Sequence, residues 1–327
     1  MQRRTFLRLG AGTLAVPTLS AAGSFAAWAT DYPTRPVRII VGFAAGGGTD
    51  IVARLIGQAL SEQLGQPFVI ENRPGAATNL ATEVVVNAAA DGYTLLLADG
   101  SAAINATLYN NLNFNFIRDI APVAGIIRVA NIMVVNPTFP ARTVPQFIAY
   151  AKAHPGALNT GSGGKGDPPH VSGELFKMMA GIDMLYVPYR GLAATLSDLI
   201  AGRLQVVFGT MPSTIEYVRA GTLRALAVTS ATRSDLLRDV PAMTEFLPGY
   251  EASQWYGIAA PKTTPPAVVD ILNREINAAV ADPKVKARLA ELGGTPLVGA
   301  PADFGRHIAA ETDKWRDVVK FSGASAD

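Results

Sequence analysis

Val37-Arg-Ile-Ile-Val-Gly-Phe43 followed by Ala44-Ala-Gly-Gly-Gly-Thr-Asp50 decides the reading of this chain. The run over residues 37–43 is mostly apolar, as expected for a strand covered on both faces. The glycines then bring the chain round into a helix whose apolar residues Ile51, Val52, Leu55, Ile56, Ala59 and Leu60 share one face. A second strand over 68–71, a helix over 78–89 and a third strand over 93–98 complete a βαβαβ order with short connections, which argues for a parallel, doubly wound unit.

A second set of elements begins after Pro122. Strands are expected over 129–135, 184–188, 205–208 and 223–229, alternating with helices over 171–180, 193–201 and 213–220. Thr143-Val-Pro-Gln146 has capping-box spacing and opens another helix, which ends near His154. The remaining stretch holds one strand over 256–260 and three Pro-started helices, the last opening at Pro301. It has too few strands for a sheet of its own, so it docks on the first unit. The expected organisation is α/β in two lobes, with residues 30–128 plus 253–327 forming lobe 1 and 129–252 forming lobe 2.

Arg3-Arg4-Thr5-Phe6-Leu7-Arg8, an uncharged Ala-rich stretch and Ala27-Trp28-Ala29 read as a twin-arginine export signal over residues 1–29. The whole chain has 28 Lys+Arg against 26 Asp+Glu; removing three arginines leaves 25 against 26, or −1. Without a basic field, counterion release cannot drive nucleic-acid binding, and nucleic acid is not an expected partner. The chain has no cysteine, which excludes disulfides and thiolate chemistry and fits export of a protein folded in the cytoplasm.

Three polar loops follow strands, at the sheet ends where open α/β proteins bind ligands. The first spans 46–50, where glycines and a helix N-terminus let an anion approach the main chain; Asp50 reads equally as a first-turn acid complementing the helix dipole. The second spans 160–166. Gly161, Gly163 and Gly166 match G-x-G-x-x-G, but Pro168-Pro169 and the lack of a ribose-binding acid argue against a dinucleotide. The third is Asp99-Gly100-Ser101-Ala102. A hydrolase would need Ser162 paired with His170, yet neither Ser101 nor Ser162 lies in a G-x-S-x-G elbow. His154 ends a helix, His307 falls on an expected surface face, and no spacing supports a metal. No cofactor and no catalysis are expected.

Tyr32-Pro33-x-Arg35-Pro36, the loop Phe43-Ala-Ala-Gly46-Gly47-x-x-Asp50-x-x-Ala53-Arg54, Glu71-Asn-Arg-Pro-Gly-Ala76 and Asp91-Gly-Tyr-Thr-Leu-Leu96 resemble the Bug-type substrate-binding proteins of tripartite tricarboxylate transporters. The likeness continues, in order, through Ala151-Lys-Ala-His-Pro-Gly156, Val187-Pro-Tyr-Arg-Gly191, Leu223-Arg-Ala-Leu-Ala-Val-Thr229 and Ala260-Pro261. It implies a Venus-flytrap fold of the type II periplasmic-binding-protein class, each lobe a mostly parallel sheet flanked by helices, closing on a small carboxylate. It also implies a monomer in the periplasm that meets membrane transporter subunits transiently, or a membrane signalling receptor. The residues carried over are Phe43, Gly46, Gly47, Asp50 and Ser101 in lobe 1, and Thr160, Ser162, Gly163, His170, Arg190, Gly191 and Thr210 in lobe 2. Three departures from the family pattern stand out: Gly42 for a Pro before the loop, Arg190 for a Lys, and Gly209-Thr210 where an acid would follow Phe208. The last disfavours an amino acid, whose ammonium would lack a partner.

Overall fold

The computed structural model describes residues 31–189 and 191–326. The expected export signal and Arg190 therefore lie outside the described residues. Pro33–Asp327 makes one compact unit. Its first block runs β1 (Val37–Val41), α1 (Gly48–Leu64), β2 (Phe68–Asn72), α2 (Asn79–Val86), β3 (Thr94–Asp99) and α3 (Gly100–Leu108). A single turn, α4 (Phe116–Asp119), leads into β4 (Ile120–Val135). The middle block is α5 (Val144–Ala153), β5 (Asn159–Ser162), α6 (Pro168–Ala180), β6 (Leu185–Pro188), α7 (Leu192–Ile200), β7 (Val207–Thr210), α8 (Met211–Arg219) and β8 (Arg224–Val228). β9 (Ser253–Pro261), α9 (Pro266–Ala281), α10 (Pro283–Glu291), β10 (Gly294–Pro296) and α11 (Pro301–Ser322) close the chain.

β1 lies between β2 and β3, parallel to both. Its Val37, Ile39, Ile40 and Val41 are fully buried, which is why the run is continuously apolar instead of alternating. The expectation of mostly parallel sheets holds for β2-β1-β3 and for β5-β6. Beyond them the pairing is mixed: β9 is antiparallel to β3, and β4 is antiparallel to β9, β10, β7 and β8. The reason is chain direction, because β4 runs outward from the first block and β9 runs back beside it.

β4 is the longest strand, and its first part was not anticipated. A boundary was expected at Pro122, but the strand starts at Ile120 and carries Pro122 inside it. The β4–β9 register shifts between Pro122 and Ala124, and such an irregularity accommodates a residue that cannot donate to the ladder. Up to Ala130, β4 pairs with β9; from Asn131 on it pairs with β7 and β8. The chain returns at Ala252/Ser253. Thr229 ties the two crossings together: its Oγ1 accepts from Asn131 N at 2.8 Å and donates to Ala252 O at 2.7 Å.

In the third stretch β9 lies beside β3 and β10 pairs with β4 at the edge of the sheet. Trp255, Phe304 and Ile308 are buried where α11 packs back onto this sheet. Local signals explain the helix ends. Thr143 Oγ1 caps α5 by accepting from Gln146 N, while Gln146 Oε1 reaches Arg142 N, one residue earlier than in a capping box. Among the described residues no helix is long and apolar enough to cross a membrane.

Candidate functional site

The expected site residues fall in two clusters, and the starts of the helices show what each can offer. α1, α7 and α8 begin at Gly47, Gly191 and Thr210 with no side chain capping their first turns. By contrast, Asp99 caps α3 by accepting from Ser101 N at 3.0 Å, and Asp167 caps α6 by accepting from His170 N at 2.8 Å. Unpaired first-turn amides are anion donors, whereas capped ones are already used. The second loop was expected to offer its helix start to a small anion; Asp167 occupies that end instead, as Asp99 does at the third turn.

In the first cluster Asn72 Nδ2 donates to Phe43 O at 2.9 Å and to Asp50 Oδ1 at 3.0 Å. Asp50 also accepts from Gly46 N at 2.9 Å and from both Arg54 Nε and Nη2 at 2.9 Å. Burial pushes the Asp50 carboxyl up, but the Arg54, Gly46 and Asn72 bonds outweigh it and hold it below the usual range. Asp50 is thus an internal clamp on the loop, and the Gly46 amide is spent on it. Gly46 has φ +86° and open space where a Cβ would stand; at Gly47 only Ala44 O lies nearby, at 3.8 Å. Among the described residues no side chain comes within 4 Å of a Cβ at either glycine.

Ser101 connects to this loop through a buried chain of polar groups. Asp99 Oδ2 accepts from Gln254 Nε2 at 3.3 Å, and the buried Tyr256 hydroxyl lies close to Gln254 and to Thr49, the second residue of α1. Burial raises the Asp99 carboxyl to about 7 against the Ser101 and Gln254 bonds. Behind the loop, Ala76, Ala77 and Thr78 all have positive φ, of 46°, 48° and 80°. A Cβ on Gly42 would lie 2.5 Å from Thr78 Cβ, so a glycine at this position is what admits this turn.

The second cluster gathers around Ser162. Its Oγ lies 2.9 Å from Gly164 O and 2.9 Å from the Tyr186 hydroxyl. Gly191 N donates to Gly163 O at 3.2 Å, bringing the start of α7 against this loop. The Asp167 carboxyl group sits beside this loop, accepting from His170 N and lying close to Ser162 and the Gly163 and Gly164 amides, and burial raises its pKa to about 7. His170 Nδ1 accepts from Gly166 N at 3.0 Å; burial, with Lys177 and Lys165 nearby, lowers its pKa to about 4. The acceptor nitrogen a general base would need is therefore occupied, and Ser162 is engaged with Gly164 and Tyr186. Thr160 is buried on β5, and Thr210 ends β7 opposite Asn131, its Oγ1 donating to Ser213 Oγ at 3.0 Å.

The three glycines of the formal G-x-G-x-x-G have internal explanations. A Cβ on Gly161 would meet Tyr189 at 2.8 Å, one on Gly163 would meet Leu192 N at 3.0 Å, and one on Gly166, at φ +81°, would lie 2.1 Å from Leu108 Cδ2. That last contact joins the end of α3 to the second loop. His307 is not on a surface face: it is half-buried, 5.4 Å from the Trp255 ring and 3.0 Å from Arg128 Nη2. Asn72, Asp167, Tyr186, Gln254 and Tyr256 were missed in the sequence, and Asp99 was read only as part of its turn. Only the aspartates carry a local signal there, each standing immediately before a helix.

Two α/β halves joined by crossing strands, with uncapped helix starts at their loops, define a solute-binding protein of the two-lobed periplasmic class. A solved R. palustris protein with adipate has a TM-score of 0.81 and 38% identity, covering 90% of this chain and 99% of that one. MatC from Rhodopseudomonas palustris, solved with bound malate, has a TM-score of 0.77 and 31% identity, covering 88% of this chain and 100% of that one. The chain belongs to the tripartite tricarboxylate transporter family of receptors, whose family model matches residues 52–323. Protein BugT of Bordetella pertussis (strain Tohama I) is 36% identical over 299 residues, 90% of this chain and 92% of that protein.

Proposed function

We propose that this protein is a periplasmic receptor that holds a small organic carboxylate between two lobes for a membrane transporter, and that it is not an enzyme. The observation that carries this reading is the uncapped start of α1 beneath the open space at Gly46 and Gly47. The first-turn amides after Gly47 supply donors and a partial positive charge, and among the described residues no side chain caps them. Gly191 and Thr210 open two more uncapped helices in the other half, and Arg190, from its place in the Tyr189-Arg190-Gly191 motif, supplies a fork suited to a second carboxylate oxygen. Ser101, Thr160, Ser162, Gly163 and His170 shape the loops from behind. The adipate and malate in the two solved relatives support the ligand class.

The lobes in this reading are 30–128 with 253–327, and 129–252; the crossings at Ala130/Asn131 and Ala252/Ser253 act as hinges. The protein works as a monomer, exported by the twin-arginine route with residues 1–29 removed, and engages its membrane partner transiently. Calorimetric titration with a panel of mono-, di- and tricarboxylates including adipate and malate tests the proposal. Two or three charge-assisted bonds at about 1.5–3 kcal/mol each, with modest apolar burial, reach micromolar affinity. Arg190→Ala should weaken the best binder of the panel without unfolding the protein. A panel without any binder sinks the ligand class; unchanged affinity in Arg190→Ala removes that residue from the site.

A further inference from the structure

Asp99, at the end of β3, is 2% exposed, and no cation stands beside its carboxyl group among the described residues. Its bonding partners are neutral: Ser101 N donates to Oδ1 at 3.0 Å and Gln254 Nε2 to Oδ2 at 3.3 Å. A buried carboxylate left to neutral donors is costly, and such a group escapes the cost by holding a proton. Gln254 can receive that proton's hydrogen bond. Its Oε1 is a buried acceptor with no partner, and a half-turn of the amide sets this oxygen where Nε2 now faces Asp99. Burial raises the Asp99 carboxyl to about 7, against the Ser101 and Gln254 bonds.

The same carboxyl group lies close behind the start of α1. Asp99 stands opposite Tyr256 in the β3–β9 ladder, and the Tyr256 hydroxyl ends 3.5 Å from where a Cβ on Gly48, the first residue of α1, would be. One cross-strand pair and one ring therefore separate Asp99 from the uncapped amides, a distance on the order of 10 Å. Tyr256 itself stays neutral, because burial pushes its hydroxyl well above the usual range. The charged groups on the other elements of this layer are engaged elsewhere: Arg38 of β1 with Glu71, Asp50 of α1 with Arg54, Glu83 of α2 with Asn113, and Glu311 of α11 with Lys314. None of these is among the groups that shift Asp99.

A carboxylate guest at the start of α1 faces Asp99 across a gap filled by protein instead of water. Two like charges about 10 Å apart, at an effective dielectric constant of about 20, disfavour each other by roughly tenfold. We infer that capture of the guest is proton-linked: as the carboxylate settles on α1, Asp99 takes a proton from solvent, and loss of that proton loosens the guest. This rests on the carboxylate reading above and adds a regulation of the same site. The sign follows from linkage. The bound state holds the proton more firmly, so affinity is highest at low pH and declines as pH rises through about 7, levelling off once Asp99 is ionised in the bound state as well.

Calorimetric titration of the whole protein with the tightest-binding mono- or dicarboxylate of the panel tests this. Run at pH 7.5 in PIPES and in Tris, buffers of different ionisation enthalpy, it counts the protons exchanged. The parent should take up about half a proton per guest, and its Kd should rise several-fold, up to about tenfold, between pH 6 and pH 9. Asp99→Asn keeps an acceptor for Ser101 N and cannot titrate. Asp99→Ser, which also suits a helix start, is the second variant should the first fail to fold. In a folded variant the proton uptake should vanish and Kd should stay level over the same pH range. Binding without uptake in the parent, or uptake that persists in a folded variant, overturns the inference and leaves the carboxylate reading standing. A panel without any binder overturns both.

Discussion

Asp50 accepts the Gly46 amide at 2.9 Å, so the glycine loop is closed on itself before any guest arrives. The same carboxylate holds Arg54 and Asn72, and Asn72 holds Phe43 O. Two glycines flexible enough to collapse are thereby kept in one shape, with the amides after Gly47 facing outward. Preorganisation of this kind lowers the ordering cost of binding.

Asp50→Ala should therefore act on the loop twice. It leaves the Gly46 amide and the Asn72 amide group without their acceptor, costing about 1–3 kcal/mol of stability in urea unfolding. It should also weaken the tightest-binding acid of the carboxylate panel, measured by calorimetry, because the loop must then be ordered by the guest. A variant that binds that acid as tightly as its parent would mean that the clamp is irrelevant to the site.

Gly42→Ala probes the turn behind the loop. The added methyl would lie 2.5 Å from Thr78 Cβ and 2.8 Å from Thr78 Cα, and the backbone atom cannot swing away as a side-chain end could. Overpacking of this sort costs typically 1–3 kcal/mol, read as a lower midpoint in denaturant with an unchanged slope.

Asp167 makes stability depend on pH in a definite sense. Its carboxyl is raised from 3.8 to about 7 by burial, so the folded state binds a proton that the unfolded state has released. The contribution is fully present below pH 3.8 and is lost as pH rises through about 7. Asp167→Asn keeps an acceptor for His170 N and removes the titration. The melting temperature of the variant, relative to the parent, should rise between pH 4 and pH 7; a constant difference would show that Asp167 does not titrate in that window.

Thr229→Val tests the tie between the crossing strands. It keeps the shape but removes the hydroxyl that accepts from Asn131 N and donates to Ala252 O, both buried. About 1–3 kcal/mol should be lost, the cost of leaving those groups unpaired. Equal stability of parent and variant would indicate that water replaces the hydroxyl.

The alternation of strands and helices, the uncapped glycine start of α1 and the family membership were legible in the chain, because each rests on neighbours in sequence. Apolar runs and periodicity report burial of one element, and helix starts are set by residues within a turn of each other. The start of β4 was hidden by Pro122, whose local preference is to end a strand; the β4–β9 ladder overrides it with a shift in register. That Asp99 and Asp167 close two of the three helix starts facing the loops follows from a side-chain rotation that adjacency allows but does not dictate. That Asn72 reaches Phe43, Tyr256 reaches Thr49 and Leu108 meets Gly166 depends on residues tens to more than two hundred positions apart, brought together only when the sheets assemble. One chain carries no distances between such residues. The sequence by itself determined the elements and the family; packing alone decided which amides are capped and which side chains meet across the sheets.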